Sequence, residues 1–262
     1  MTRLGLHLGA NHRMDRAVLA EVRAHDFTVA RVEVMAVDDP AERYGIVQDV
    51  LDADLAPVVI VRDGSQVPSL PRGINVELRN EDDGDLAPAA YAALVPAFVA
   101  ECHAHDCRPW IGVISNLDEN SLAWLQDVLR MLPPTGAFGV SVHRYPNGRH
   151  AATPHRGFTS REAEVAVLRR IIGDCPFAVT EFGYSTAPQK HAGWRGWFGL
   201  TWRWSDADVA THTAYEWAFW ARHGATFAIA YALNDGPGDG VLDRYGYRRG
   251  DGRWKPVALT VG

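Results

Sequence analysis

Glu81 and Glu181 each close an apolar, strand-like run, 100 positions apart in the chain. The first run is Gly73-Ile74-Asn75-Val76-Glu77-Leu78-Arg79-Asn80-Glu81, and the second is Pro176-Phe177-Ala178-Val179-Thr180-Glu181-Phe182-Gly183-Tyr184. Both pass directly into loop sequence rich in Gly or Asp. In a parallel β/α fold the C-terminal ends of the strands carry the chemistry. Two carboxyls delivered there by different strands suit glycoside hydrolysis, in which one donates a proton and the other attacks or activates water. Such chemistry needs the pair in unlike environments. The donor must hold its proton near neutral pH, and its partner must stay ionised.

The elements that would position them alternate almost to the end of the chain. Strands are predicted at Leu4–Gly9, Thr28–Met35, Pro57–Val61, Ile74–Leu78, Trp110–Ile114, Phe138–His143, Phe177–Glu181 and Phe227–Leu233. Helices are predicted at Asp15–His25, Ala41–Ala53, Pro88–His105, Ser121–Leu132, Ser160–Ile172 and Asp206–His223. Pro88 suits an early helical position, and Ser121 is a cap candidate for a helix that stops before Pro133-Pro134. The link between the third and fourth strands is too short for a full helix. Eight strands with helices between them predict one (β/α)8 TIM barrel over residues 1–262, and the length fits the usual ~250 residues. A doubly wound sheet is the other arrangement of such elements, but His7-Leu8-Gly9-Ala10-Asn11 is no Gly-rich dinucleotide turn, and no P-loop is present. The richest loop is Ala187–Ser205, after the seventh strand, with Trp194, Trp197, Phe198, Trp202 and Trp204. It reads either as packing or as a stacking wall for sugar rings. Trp110, Trp217 and Trp220 read as core.

Asn80-Glu81 after the fourth strand, His143-Arg144-Tyr145 after the sixth and Thr180-Glu181-Phe182-Gly183 after the seventh resemble the clan A glycoside hydrolases, the retaining TIM-barrel or 4/7 superfamily, with family 5-like or family 39-like members in view. The resemblance implies that Glu81 is the acid/base and Glu181 the nucleophile. It implies further that Asn80 contacts the sugar 2-hydroxyl and that Tyr145 lies near the nucleophile. Arg31, within Val29-Ala30-Arg31-Val32-Glu33, resembles the strand-two arginine of family 5-like members. Substrate contacts are expected from Arg31, Asn80, His143, Tyr145, Trp194, Trp197 and Tyr231. Two departures stand out. Asp82 replaces the usual Pro after the acid, where its charge is expected to raise the acid's pKa by repulsion. Strand eight offers Tyr231 where the clan often has a Trp.

Other readings compete. Glu77 is the nearest rival carboxylate, pointing into the barrel or towards the helices and pairing with Arg79 or Arg31. His143 reads equally as a core histidine. His7, His12, His103 and His105 suggest a zinc site, although residues two apart on a helix do not share a face. A saccharide-binding barrel without catalysis is the second functional reading. A metal-dependent sugar isomerase or lyase using Glu33, Asp63, Glu81 and His143 is the third. The expectation is no cofactor and no metal.

Bulk properties narrow the partners. The net charge of −6 offers no general attraction to nucleic acid or anionic membrane. No run reaches the ~18 apolar residues of a membrane span. The first residues, Met1-Thr2-Arg3-Leu4-Gly5-Leu6-His7-Leu8-Gly9, lack the apolar stretch and cleavage site of a signal peptide. That fits a cytoplasmic protein or a secreted one already trimmed. Cys102, Cys107 and Cys175 form no disulfide framework. The expected partner is a carbohydrate, and the oligomeric state stays open.

Overall fold

A computed structural model describes residues 2–9, 12–133, 137–146, 148–190, 201–238 and 240–256. Eight parallel strands close into a barrel. They are β1 (Arg3–Gly9), β2 (Val29–Glu33), β3 (Ala56–Val61), β4 (Asn75–Leu78), β5 (Arg108–Ile114), β6 (Gly139–Arg144), β7 (Phe177–Phe182) and β8 (Phe227–Ala230). Each pairs with its sequence neighbours, and β8 closes the ring against β1 with Arg3 opposite Phe227. Among the described residues the helices are α1 (Arg16–Ala24), α2 (Pro40–Asp52), α3 (Pro88–Ala104), α4 (Glu119–Met131), α5 (Arg161–Ile172) and α6 (Asp206–Arg222). The β3–β4 link carries only a 3₁₀ turn, Gly64–Ser69, as its length predicts. A two-stranded ribbon, Gln189–Lys190 with Thr201–Trp202, follows β7. No helix among the described residues is long and apolar enough to cross a membrane.

Local chemistry explains the helix starts. Asp15, Asp39, Asp118 and Ser160 each accept a backbone N–H in the first turn that follows. The start of α4 differs from expectation. Asp118 is its cap and Ser121 lies inside the helix, because the Asp118 carboxylate takes the Ser121 N–H at 3.0 Å. Ser205 and Asp208 make a reciprocal capping box on α6.

Successive strand residues point to opposite sides, and the barrel sorts them accordingly. Leu6, Ala30, Val59, Val76 and Val140 pack outward in the main apolar core beneath the helices. The floor of the barrel interior is a second cluster of Val29, Val58, Trp110, Ala178, Phe227 and Ile229. Trp110 on β5 meets Phe227 on β8 with ring centroids 4.8 Å apart, and its indole N–H donates to Asn75 Oδ1 at 3.1 Å. That indole lies over Gly139, where a Cβ would stand 2.4 Å from ring carbons of Trp110. Gly139→Ala is therefore expected to cost about 1–3 kcal/mol of stability through overpacking. Denaturant titration should show most of that loss relieved in a Trp110→Leu background. An equal loss in both backgrounds would mean that the indole is not the obstacle.

Candidate functional site

The same alternation that fills the floor fills the mouth. One pleat above Gly5, Val29, Asn75 and Ser141, the inward positions are His7, Arg31, Glu77 and His143. All four side chains are buried. Arg31 is the hub, with four of its N–H groups engaged. Its Nε donates to Glu77 Oε2 at 2.5 Å, and Nη1 reaches Glu181 Oε1 at 2.5 Å and His7 Nδ1 at 2.9 Å. Nη2 donates to Asn80 Oδ1 at 2.7 Å. Glu77 thus points inward and pairs with Arg31, and Arg79 takes Asp82.

Glu181 reaches this layer through an irregularity. Ala178 faces the interior, so strict alternation would turn Thr180 inward and Glu181 outward. The β6–β7 register shifts by one residue, from Val142 opposite Val179 to His143 opposite Glu181. The bulge returns Glu181 to the inner face. Its Oε2 accepts the Tyr145 hydroxyl at 2.5 Å, and His7 Nδ1 lies 3.3 Å from Oε1. Burial pushes the Glu181 carboxyl up, but His143, Arg31 and His7 outweigh it and hold it well below the usual carboxylate range. Burial and the facing Glu181 raise the Tyr145 hydroxyl well above its usual value, so it stays a proton donor.

Glu81 arrives differently. It lies beyond β4 in the left-handed region, at φ 55°, as does Arg79 at φ 62°. Two such non-glycine residues cost about 1–2 kcal/mol each. The turn they make swings Asn80 and Glu81 over the barrel mouth. The Glu81 side chain remains 37% exposed, and its Oε1 is 2.7 Å from His143 Nδ1. The loop is pinned from β5, since the Ser115 N–H and hydroxyl both donate to Asp83 at 2.9 Å. Asp82 turns to a cation of its own loop. It is buried against the Arg79 guanidinium, which compensates its charge.

Carboxylate oxygens of Glu81 and Glu181 and a ring nitrogen of His143 all lie within 4.8 Å of one another. Among the described residues these three are the group that could hold a metal ion. Their donor atoms already serve Arg31, Tyr145 and one another. Asp63, His103 and His105, which the competing metal readings named, lie elsewhere. Asp63 caps the 3₁₀ turn by accepting the Ser65 N–H. His103 and His105 sit at the C-terminal end of α3, beside Ala137 O and Glu101 O. His7 leaves that set and joins the Arg31 hub.

Arg31, Asn80, His143, Tyr145 and Tyr231 converge around the two glutamates. The Tyr231 ring meets His7 at 5.1 Å and Tyr145 at 6.3 Å. Trp194 and Trp197 lie outside the described residues. Trp202 and Trp204 do not, and they meet edge to face at 4.9 Å. Sequence reasoning missed three contributors. His7 was legible as an inward β1 position. Asn116 clamps Tyr145 from the end of β5, accepting its N–H and donating to its carbonyl, both at 3.0 Å. Tyr245 comes from the segment after β8 and packs on Tyr145 and Tyr231 at 5.7 and 5.9 Å.

Several solved structures share this architecture. A family 39 glycoside hydrolase from the gut symbiont Bacteroides cellulosilyticus superposes with a TM-score of 0.73 at 14% identity, over 99% of this chain and 63% of that protein. The barrel is a fold that this chain shares with glycoside hydrolases. Fungal β-1,4-galactanases match with a TM-score of 0.70 at 11% identity over 99% and 98% of the two chains. A Bacteroidetes-affiliated family 5 cellulase matches with a TM-score of 0.62 at 13% identity over 99% and 89%. No protein-family model matches the chain, and no curated protein matches it by sequence.

Proposed function

We propose that the protein is a retaining glycoside hydrolase that cleaves a β-linked oligo- or polysaccharide with Glu181 as nucleophile and Glu81 as acid/base. The observation that carries this reading is the approach of the two carboxylates within 4.8 Å. Retaining enzymes hold their carboxyls ~5–5.5 Å apart, whereas inverting ones leave ~6.5–9.5 Å for a water between them. The environments also divide the roles. Glu181 is buried and ionised under Arg31 and Tyr145, which keeps a lone pair on a fixed oxygen. Glu81 is the more exposed of the two, open to a leaving group and then to water. In the first step Glu181 bonds to the anomeric carbon while Glu81 gives its proton to the departing glycosidic oxygen. In the second, Glu81 takes a proton from water, the water oxygen bonds to the same carbon, and the Glu181 ester bond breaks. In this reading Asn80, held by Arg31, contacts the sugar 2-hydroxyl. The fold shared with galactanases and a cellulase supports a β-glycan as substrate.

Glu81→Ala tests the assignment. On aryl glycosides with good leaving groups the first step needs no proton, so a glycosyl-enzyme should accumulate. Azide should then restore turnover and yield a β-glycosyl azide, because a small anion replaces the base-activated water. An α-azide product, or no rescue, would mean that the carboxylates are misassigned. Wild-type hydrolysis should persist in EDTA. Saccharide binding without hydrolysis would instead mark a barrel that only binds glycans.

A further inference from the structure

The segment after β8 supplies an aromatic wall that no barrel strand provides. Residues 231–234 and 244–248 run beside each other, with Tyr247 N donating to Ala232 O at 2.8 Å and Arg248 N to Leu233 O at 2.7 Å. A buried Lys255–Asp235 pair at 2.8 Å fastens the segment, and Arg244 O accepts the Thr186 N–H from the loop after β7 at 3.1 Å. Tyr245 is therefore presented on fixed backbone. Its ring stands edge-on to both Tyr145 and Tyr231. The chain after β7 makes room for it, since a Cβ on Gly183 would come within 2.7 Å of Tyr245 Cδ1 and of Tyr231 O. Apart from these ring contacts the hydroxyls of Tyr231 and Tyr245 have no hydrogen-bond partner among the described residues. Burial and Tyr231 push the Tyr245 hydroxyl up to about 12, so it keeps its proton throughout the neutral range.

We infer that Tyr245 is a specificity-determining residue that hydrogen-bonds a hydroxyl of a neutral sugar ring bound over Glu81 and Glu181. This rests on the glycosidase reading. Phenol groups that are half-buried, fixed and unpartnered are what a hydroxyl-bearing ligand satisfies. The charges among the described residues favour a neutral ring. Arg31 spends four of its five N–H groups on Glu77, His7, Glu181 and Asn80, and no other Arg or Lys among the described residues lies within ion-pair distance of either catalytic carboxylate. A sugar carboxylate there would meet two acidic groups with no further Arg or Lys beside them among the described residues.

Tyr245→Phe keeps the ring packing and removes only the hydroxyl. Its KM for a neutral β-linked trisaccharide should rise about three- to tenfold, the worth of one hydrogen bond, with kcat and melting temperature near wild type. A purely structural tyrosine would leave KM unchanged and would show its effect only in Tyr245→Ala, through a lower melting temperature. The experiment measures both hydrolysis and calorimetric binding of gluco-, galacto- and xylo-configured β-trisaccharides, with a glucuronide for comparison. Turnover by the wild type with no KM change in Tyr245→Phe overturns the inference, as does preference for the glucuronide. Binding that Tyr245→Phe weakens, in a wild type that hydrolyses none of the panel, supports Tyr245 and overturns the catalytic reading. Absence of both binding and hydrolysis overturns the two together.

Discussion

Glu181→Gln should reduce kcat on any glycoside substrate by at least about 10⁴-fold, the scale of loss on removing a nucleophile. The amide keeps the shape and hydrogen-bonding reach of the carboxylate but cannot form the glycosyl ester. The buried setting makes the variant informative about stability as well. Arg31 keeps Glu77 and Asn80 when Glu181 loses its charge, so the fold should survive with a loss of about 1–3 kcal/mol. The pH dependence should change too. The folded-state pKa of Glu181 is depressed below its unfolded value. The ionised carboxylate thus contributes stability that is full above the unfolded pKa of ~4.3 and fades as pH falls below it. Removing it should flatten the acid side of the stability curve in urea titrations between about pH 5 and pH 3. Turnover within tenfold of wild type would refute the nucleophile assignment.

Glu216→Ala should give the largest stability loss, about 3–5 kcal/mol, because it leaves two buried arginines sharing Glu164 as their one remaining carboxylate among the described residues. Glu216 on α6 is fully buried and accepts from Arg144 at 2.6 Å, from Arg161 at 2.9 Å on each oxygen, from Tyr184 at 2.8 Å and from Trp220 at 2.9 Å. These donors come from β6, α5, the loop after β7 and α6 itself, so one carboxylate joins the outer shell behind Glu181. Burial pushes its pKa up, and Arg144 and Arg161 bring it below the usual value. For a chain of this size the loss corresponds to a melting point lower by roughly 6–20 °C. Glu216→Gln, which retains the acceptor oxygen, should fall between wild type and Ala. A calorimetric shift under about 2 °C for Glu216→Ala would show that water or rearrangement satisfies the two arginines.

Much of the architecture was legible because parallel strands buried on both faces write continuous apolar runs, and helix starts write Asp, Ser and Pro. The barrel, the short β3–β4 link and the strand-end positions of Glu81 and Glu181 follow from that local grammar. A period of two puts Arg31, Glu77 and His143 on one face of their strands, and the barrel shows that face to be the inner one. Sequence also places Asn80 beside Glu81 and Tyr145 two residues beyond His143.

What local grammar could not supply is partnership across the ring. The direction of Glu181 depends on a one-residue bulge between β6 and β7, and alternation counted from Ala178 points it the wrong way. The partner of Asp82 is Arg79 because a left-handed turn folds one back on the other, and no spacing rule encodes that turn. His7 and Tyr245 lie 238 positions apart in the chain and meet only through Tyr231, which packs on both. Such contacts arise because closure of the barrel brings β1 beside β8, a long-range constraint that short windows of sequence do not carry. The sequence by itself determined that Arg31, Glu77, Glu81, His143 and Glu181 lie on or just beyond barrel strands. The closed tertiary structure decided which carboxylate is buried and ionised, which is exposed, and what walls surround them.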